Sequence, residues 1–226
     1  RLRPRDRSLL RVAAAFGGAV EVRLLSSVEG LIGHTERPPL RRLLIRRLLV
    51  ASDEAAPAPE RLGAWGGDEE DERLPARVRV PSELLRRAVL AELSEEQLER
   101  LHGRIVSALE RLGAIDGLEG LEELARHALR SERPERATDY LRRAGEIGLA
   151  AGQRERAARY FSRAAGVIRQ ERKDPADATA FRLGLRAAEE ALAVGDLELT
   201  RDILAPLRAI ADGAGPELAV RRAVVE

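Results

Sequence analysis

The chain has 226 residues, of which 44% are hydrophobic, 34% charged and only 3% aromatic, and it contains no cysteine. This is the composition of a folded globular chain, not a disordered tail, and zero cysteine excludes a disulfide scaffold and thiolate chemistry. With so few aromatics the core must be filled by Leu, Ala, Val and Ile, which favours close-packed helices over a β-sandwich.

The net charge of +1 is unevenly placed. Residues 1–50 hold 11 Arg against 4 acids (+7), and residues 51–75 hold 8 acids against 2 Arg (−6). A basic block beside an acidic loop fits local neutralisation better than a polyanion site. Lys173 is the one lysine among 39 basic residues, a bias expected of a GC-rich genome. There is no Met, even at position 1, so the chain is expected to be an internal part of a larger protein. No apolar run approaches the ~20 residues of a membrane span. No membrane partner is expected, and the expected setting is cytoplasmic.

In chain order, Asp6 to Phe16 reads as a short helix stopped by Gly17-Gly18. A second helix is expected over Val20 to Val28, ended by Gly30. A third is expected from Leu40 to Val50 after Pro38-Pro39, with Leu40, Leu43, Leu44 and Leu48 on one side and arginines around the rest. Residues 52–74 form an acidic, Pro- and Gly-containing loop with the run DEEDE and Trp65. RVRV at 77–80 alternates like a short strand ended by Pro81.

A helix is expected from Leu84 to Leu93. The sharpest local signal follows it, in LSEEQL. Ser94 and Gln97 have the spacing of a capping box, and Leu93 and Leu98 that of a hydrophobic staple. Leu98, Leu101, Ile105, Leu109 and Leu112 then make one apolar helical face, with Gly113 as its C-cap. Beyond it, helices are expected over about 118–130, 134–151, 154–169, 177–194 and 197–210, with another starting near 216. The breaks fall at Pro134, Gly152, Asp174-Pro175, Gly195-Asp196 and Gly215-Pro216. Such short loops force consecutive helices to lie antiparallel, and Pro206 should kink or shorten the fifth.

The helices repeat one another. Ala137, Leu141 and Ala144 stand at i, i+4 and i+7, and Ala157, Phe161 and Ala164 repeat that small–large–small spacing. Five residues beyond Gly152 comes Ala157; five beyond Gly195 comes Thr200, followed by Leu204 and Leu207. A glycine turn followed by small–large–small on the second helix resembles the tetratricopeptide repeat. The match is degenerate around Gly195. The 43 residues between the two glycines exceed the ~34 of that repeat, which requires a short insertion near 170–176.

The ordered segments LLRVAAAFGGAVEVRLL, PSELLRRAVLAELS, RLHGRIVSALE and LARHALRSERPERATDYLRRAGEIGLAAGQRERAARYFSRA resemble the region behind the nucleotide-binding core of bacterial signal-transducing ATPases of the STAND/AAA type. These are proteins often joined to Ser/Thr kinase, cyclase or transcription-regulator domains. The family's Phe-x-His and Tyr in the second segment are here Val80, Ser82 and Leu90, while Leu101-His102 and His127 match. The resemblance implies an all-α chain with one small β-hairpin. Residues 1–93 would be a winged-helix-like module, 94–116 a linking helix, and 117–226 a right-handed superhelix of tetratricopeptide-like hairpins. First-helix residues Asp139, Arg142, Glu146, Arg182 and Glu189 would then line a groove for a protein, a peptide or another domain of the same parent. ATP would belong to the parent.

A phosphate-binding loop needs a Gly-rich turn followed by Lys and Ser or Thr; Lys173 sits between Arg172 and Asp174. No cofactor or metal is expected here. His34, His102 and His127 match no zinc spacing; His102 is expected on the buried edge of its helix and His127 on a helix shoulder. Carboxylates such as Glu122-Glu123 and Glu189-Glu190 sit among arginines as solvated faces. The chain is therefore expected to be a non-catalytic interaction and sensing scaffold. The alternative is a transcription regulator whose Arg-rich helix enters DNA, which the scattered arginines and acidic neighbour disfavour.

Overall fold

Pro4, with its fixed φ and missing N–H, opens the first helix, α1 (Pro4–Phe16), and Gly17 closes it at φ 74°. The structure is a computed structural model that describes residues 2–30, 37–52, 74–113, 117–174 and 177–213. His34, nearly all of the acidic loop with Trp65, and the helix expected near 216 lie outside the described residues. The chain is predominantly helical with one small sheet, and it divides after Leu112 into two compact units.

In the first unit α1 is followed by β1 (Val20–Glu21), α2 (Val22–Val28), α3 (Arg37–Ile45), β2 (Val50–Ala51), β3 (Arg77–Arg79), α4 (Glu83–Ala91) and α5 (Glu95–Arg111). The strands form an antiparallel sheet in the order β1-β3-β2, with Val20 opposite Val78 and Ala51 opposite Val78 on the other side. Three corrections to the sequence reading arise here, the first being that the expected β-hairpin is a three-stranded sheet, because β1 pairs with β3 on the side away from β2. The helix expected from Val20 gives up its first two residues to β1, because β-branched Val20 is buried against Val78. The helix expected to reach Val50 stops at Ile45. Arg47 takes the left-handed conformation (φ 54°), so that Leu48 N–H reaches Leu43 C=O and Arg47 N–H reaches Leu44 C=O, a Schellman end without its usual glycine.

α1 is the core of this unit. Leu9, Leu10, Val12, Ala13 and Phe16 are buried, and α2, α3, α4 and α5 all pack on it. Within that core Asp6 is 1% exposed and receives Arg42 of α3 through Nε and Nη2 (Nη2–Oδ1 2.6 Å). α5, read as a linking helix, packs on α2 and α1 and belongs to the first unit. Its capping box is formed: Gln97 N–H donates to Ser94 Oγ (3.2 Å) and Ser94 N–H to Gln97 Oε1 (3.1 Å).

The second unit contains α6 (Leu118–Ala128), a 3-10 turn (Pro134–Arg136), α7 (Ala137–Ala150), α8 (Arg154–Arg172), α9 (Ala178–Ala193) and α10 (Leu197–Gly213). Each helix packs on the next along the chain. Gly152 and Gly195 make the turns at φ 74° and 78°, where a Cβ would be strained. Ala137, Leu141, Ala144, Ala157, Phe161 and Ala164 are all buried, so the repeated spacing forms the seams. α10 runs through Pro206 to Gly213 and is not shortened. Among the described residues no helix is long and apolar enough to cross a membrane.

Candidate partner-binding face

α7 and α9 are the first helices of two successive hairpins, and the five predicted site residues lie on them. Asp139, Arg142 and Glu146 are spaced i, i+3 and i+7, which places them on one face of α7. Arg142 donates to Asp139 Oδ1 (2.9 Å) and to Glu146 Oε1 (2.7 Å). The Asp139 hydrogen bond raises the pKa of the guanidinium, aided by the charge of Glu146 against a smaller opposing effect of burial. The three side chains therefore hold one another in place.

Glu146 also faces α9, where its Oε1 lies 3.9 Å from Arg186 Nη1. Arg186 stacks its guanidinium 4.4 Å from the ring centroid of Phe161 on α8. Phe161 is fully buried, and its Cε1 sits 2.5 Å from where a Cβ on Gly145 would be. The ring thus lies against a bare helix backbone and an arginine from the following hairpin. Arg186, four residues after Arg182 and three before Glu189, shares their helical face. Sequence reasoning passed over it, although this spacing was the available signal. Gly145 was missed because only the packed partner shows why a glycine stands there.

Arg182 and Glu189 are exposed on α9 and form no ion pair among the described residues. The five residues are therefore of two kinds: Asp139, Arg142 and Glu146 form a self-satisfied network, and Arg182 and Glu189 flank Arg186 with no ion pair among the described residues. Two further ties join neighbouring helices. Arg154 reaches Glu190 across α8 and α9 (2.6 Å), while Arg156 (2.8 Å) and the Tyr160 hydroxyl both donate to Glu122 on α6. Burial and the Glu122 carboxylate raise the pKa of the Tyr160 phenol.

His102 is buried as expected, but His127 is not on a shoulder; it is fully buried. Its helix face turns inward together with Leu121, Leu124 and Ala128. Burial lowers the pKa of the imidazole, against the opposing effect of Glu123, whose Oε1 lies 3.2 Å from Nε2. Burial alone would raise the Glu123 pKa, but hydrogen bonds from His127 and Arg126 hold it lowered. Among the described residues no group of three or more His, Asp or Glu is placed to hold a metal ion.

No family model, curated protein or solved structure matches the chain. The hairpin face is therefore interpreted from its own chemistry, which comprises paired charges at helical spacing with two of opposite sign that form no ion pair among the described residues.

Proposed function

We propose that the chain is a non-catalytic protein-interaction and sensing scaffold whose second unit captures a polar peptide segment or another domain of its parent on the α7–α9 face. The observation that carries this reading is that exposed charge. Among the described residues Arg182 and Glu189 form no ion pair, and they stand one turn to either side of Arg186, which lies against Glu146 and the Phe161 ring. Two such charges of opposite sign, about 10 Å apart along the helix at 1.5 Å per residue, fit an extended segment bearing a matching acid and base. Charge complementarity of this kind sets specificity and register more than affinity.

The hairpins with glycine turns and alanine seams support a tetratricopeptide-like arrangement, and the three helices and small sheet before them support a winged-helix-like module. Within the same proposal, the parent is a cytoplasmic signal-transducing ATPase, ATP binds upstream, and partner capture biases how that ATPase closes. The DNA reading is weakened by Arg42, which lies on the Arg-rich helix but is committed to Asp6.

The test is selection of binding peptides from a random display library, followed by affinity measurement with the Arg182→Glu, Glu189→Arg double variant. Selected peptides should carry both charge signs and lose about ten-fold or more in affinity, the scale of losing a charge-assisted contact, with unchanged thermal unfolding. Undiminished binding by the variant would remove this face from the proposal. A gel shift at two salt concentrations addresses DNA separately, since phosphate-driven binding weakens steeply with salt.

A further inference from the structure

The first unit carries a cleft that the scaffold reading does not use. It opens between the starts of α1 and α3, has a volume of about 480 Å³, and is lined by Arg3, Pro4, Arg5, Pro38, Pro39 and Arg42. Three of its six lining residues are arginines, and Asp6, which takes a hydrogen bond from the Arg3 backbone N–H and feels the Arg3 charge, is the acid beside them. Asp6 is already matched: Arg42 covers both its carboxylate oxygens with Nε and Nη2. Arg42 Nη1, Arg3 and Arg5 remain as donors, and neither Arg3 nor Arg5 forms an ion pair among the described residues.

From this arrangement we propose that the cleft binds the phosphate group of an organic phosphate monoester. Asp6 shows what a carboxylate takes here, one arginine fork with the Arg3 backbone N–H and charge beside it. The donors left over exceed what a second carboxylate could accept, and they suit a dianion with three acceptor oxygens. The walls fit the organic part. Pro4, Pro38 and Pro39 present apolar rings on backbones whose φ is fixed, so the opening is shaped before a ligand arrives. The volume falls within the roughly 300–1,000 Å³ of small-molecule sites and exceeds what a bare phosphate fills. Pro4, Pro38 and Pro39 carry no N–H, so part of the backbone donor set at both helix starts is missing and the arginine side chains supply the larger share of the donors.

The test is titration of the 226-residue chain with phenyl phosphate, inorganic phosphate and benzoate at constant ionic strength, followed by amide NMR. Phenyl phosphate should shift the amides of Arg3, residues 5–7 and residues 40–42 and bind at least about ten-fold tighter than benzoate or inorganic phosphate. The Arg3→Gln, Arg5→Gln double variant should lose that binding while keeping its thermal midpoint, because Arg42 still holds Asp6. Equal binding of benzoate overturns the phosphate assignment, and equal binding of inorganic phosphate overturns the organic part. Unchanged binding by the double variant, or shifts confined to other residues, overturns the site itself. A phosphotyrosine peptide that binds tighter than phenyl phosphate identifies a modified protein as the source; equal affinity identifies a free metabolite. Either result supports the site.

Discussion

In the first unit the decisive pairings join residues far apart in sequence: Val20 with Val78, Ala51 with Val78, and Asp6 with Arg42. In the second unit each helix packs on its immediate successor, and ion pairs such as Arg154–Glu190 span neighbouring helices. The first unit must close long loops before its sheet and buried ion pair exist, whereas the second can assemble hairpin by hairpin. The difference shows where each is vulnerable. One depends on a few non-local contacts, the other on uninterrupted close packing along a seam.

The largest test of this contrast is Phe161→Ala. It should destabilise the second unit by about 3–5 kcal/mol through a cavity between α7 and α8, and amide NMR should show the first unit still folded. Joint unfolding would mean that the units are not independent. Arg42→Ala strikes the other unit. It strands Asp6 in the core and should cost about 3 kcal/mol in denaturant unfolding at neutral pH.

The Arg42 hydrogen bonds, opposed by burial, lower the Asp6 pKa in the fold. The stabilisation is therefore present above the unfolded value of about 3.9 and is lost as pH falls through the folded one. Next in size is Gly145→Ala, whose methyl group would meet the Phe161 ring; it should cost about 1–3 kcal/mol.

The pH dependence separates the units again. Burial holds the His127 pKa below its usual 6.5, so the unfolded chain takes up a proton before the folded one does. Stability of the second unit should be full above that value and begin to fall below it, well before the acid loss expected of the first unit. His127→Gln should flatten this slope in unfolding curves at pH 7 and 5.5; an unchanged slope would place the titration elsewhere. The smallest expected effect is a gain. Arg47→Gly and, in the second unit, Lys173→Gly relieve left-handed residues at helix ends. Each should raise stability by about 0.5–1 kcal/mol.

Helix positions in the second unit were readable because they rest on local chemistry. Glycine turns and alanines at helical spacing act within a few residues of themselves, as the Ser94–Gln97 box does in the first unit. Asp139, Arg142 and Glu146 fall on one face of α7 for the same local reason, their i, i+3 and i+7 spacing. Strand β1 was not readable, since Val20 pairs with a residue 58 positions away. The end of α3 was hidden because Arg47 performs a glycine's task, and nothing in its type signals that. Arg186 was overlooked because its stack on Phe161 joins two different hairpins.

The sequence by itself determined the helical composition and the seam residues of the hairpins, since periodicity and capping are properties of a short stretch of chain. Tertiary structure decided which charges are already satisfied. Whether an arginine is held, as Arg42 is by Asp6, or has no ion pair among the described residues, as Arg182 has none, depends on what lies opposite it in space. Pairing energies fall off within a few ångströms, a distance that residue spacing along the chain does not report across elements.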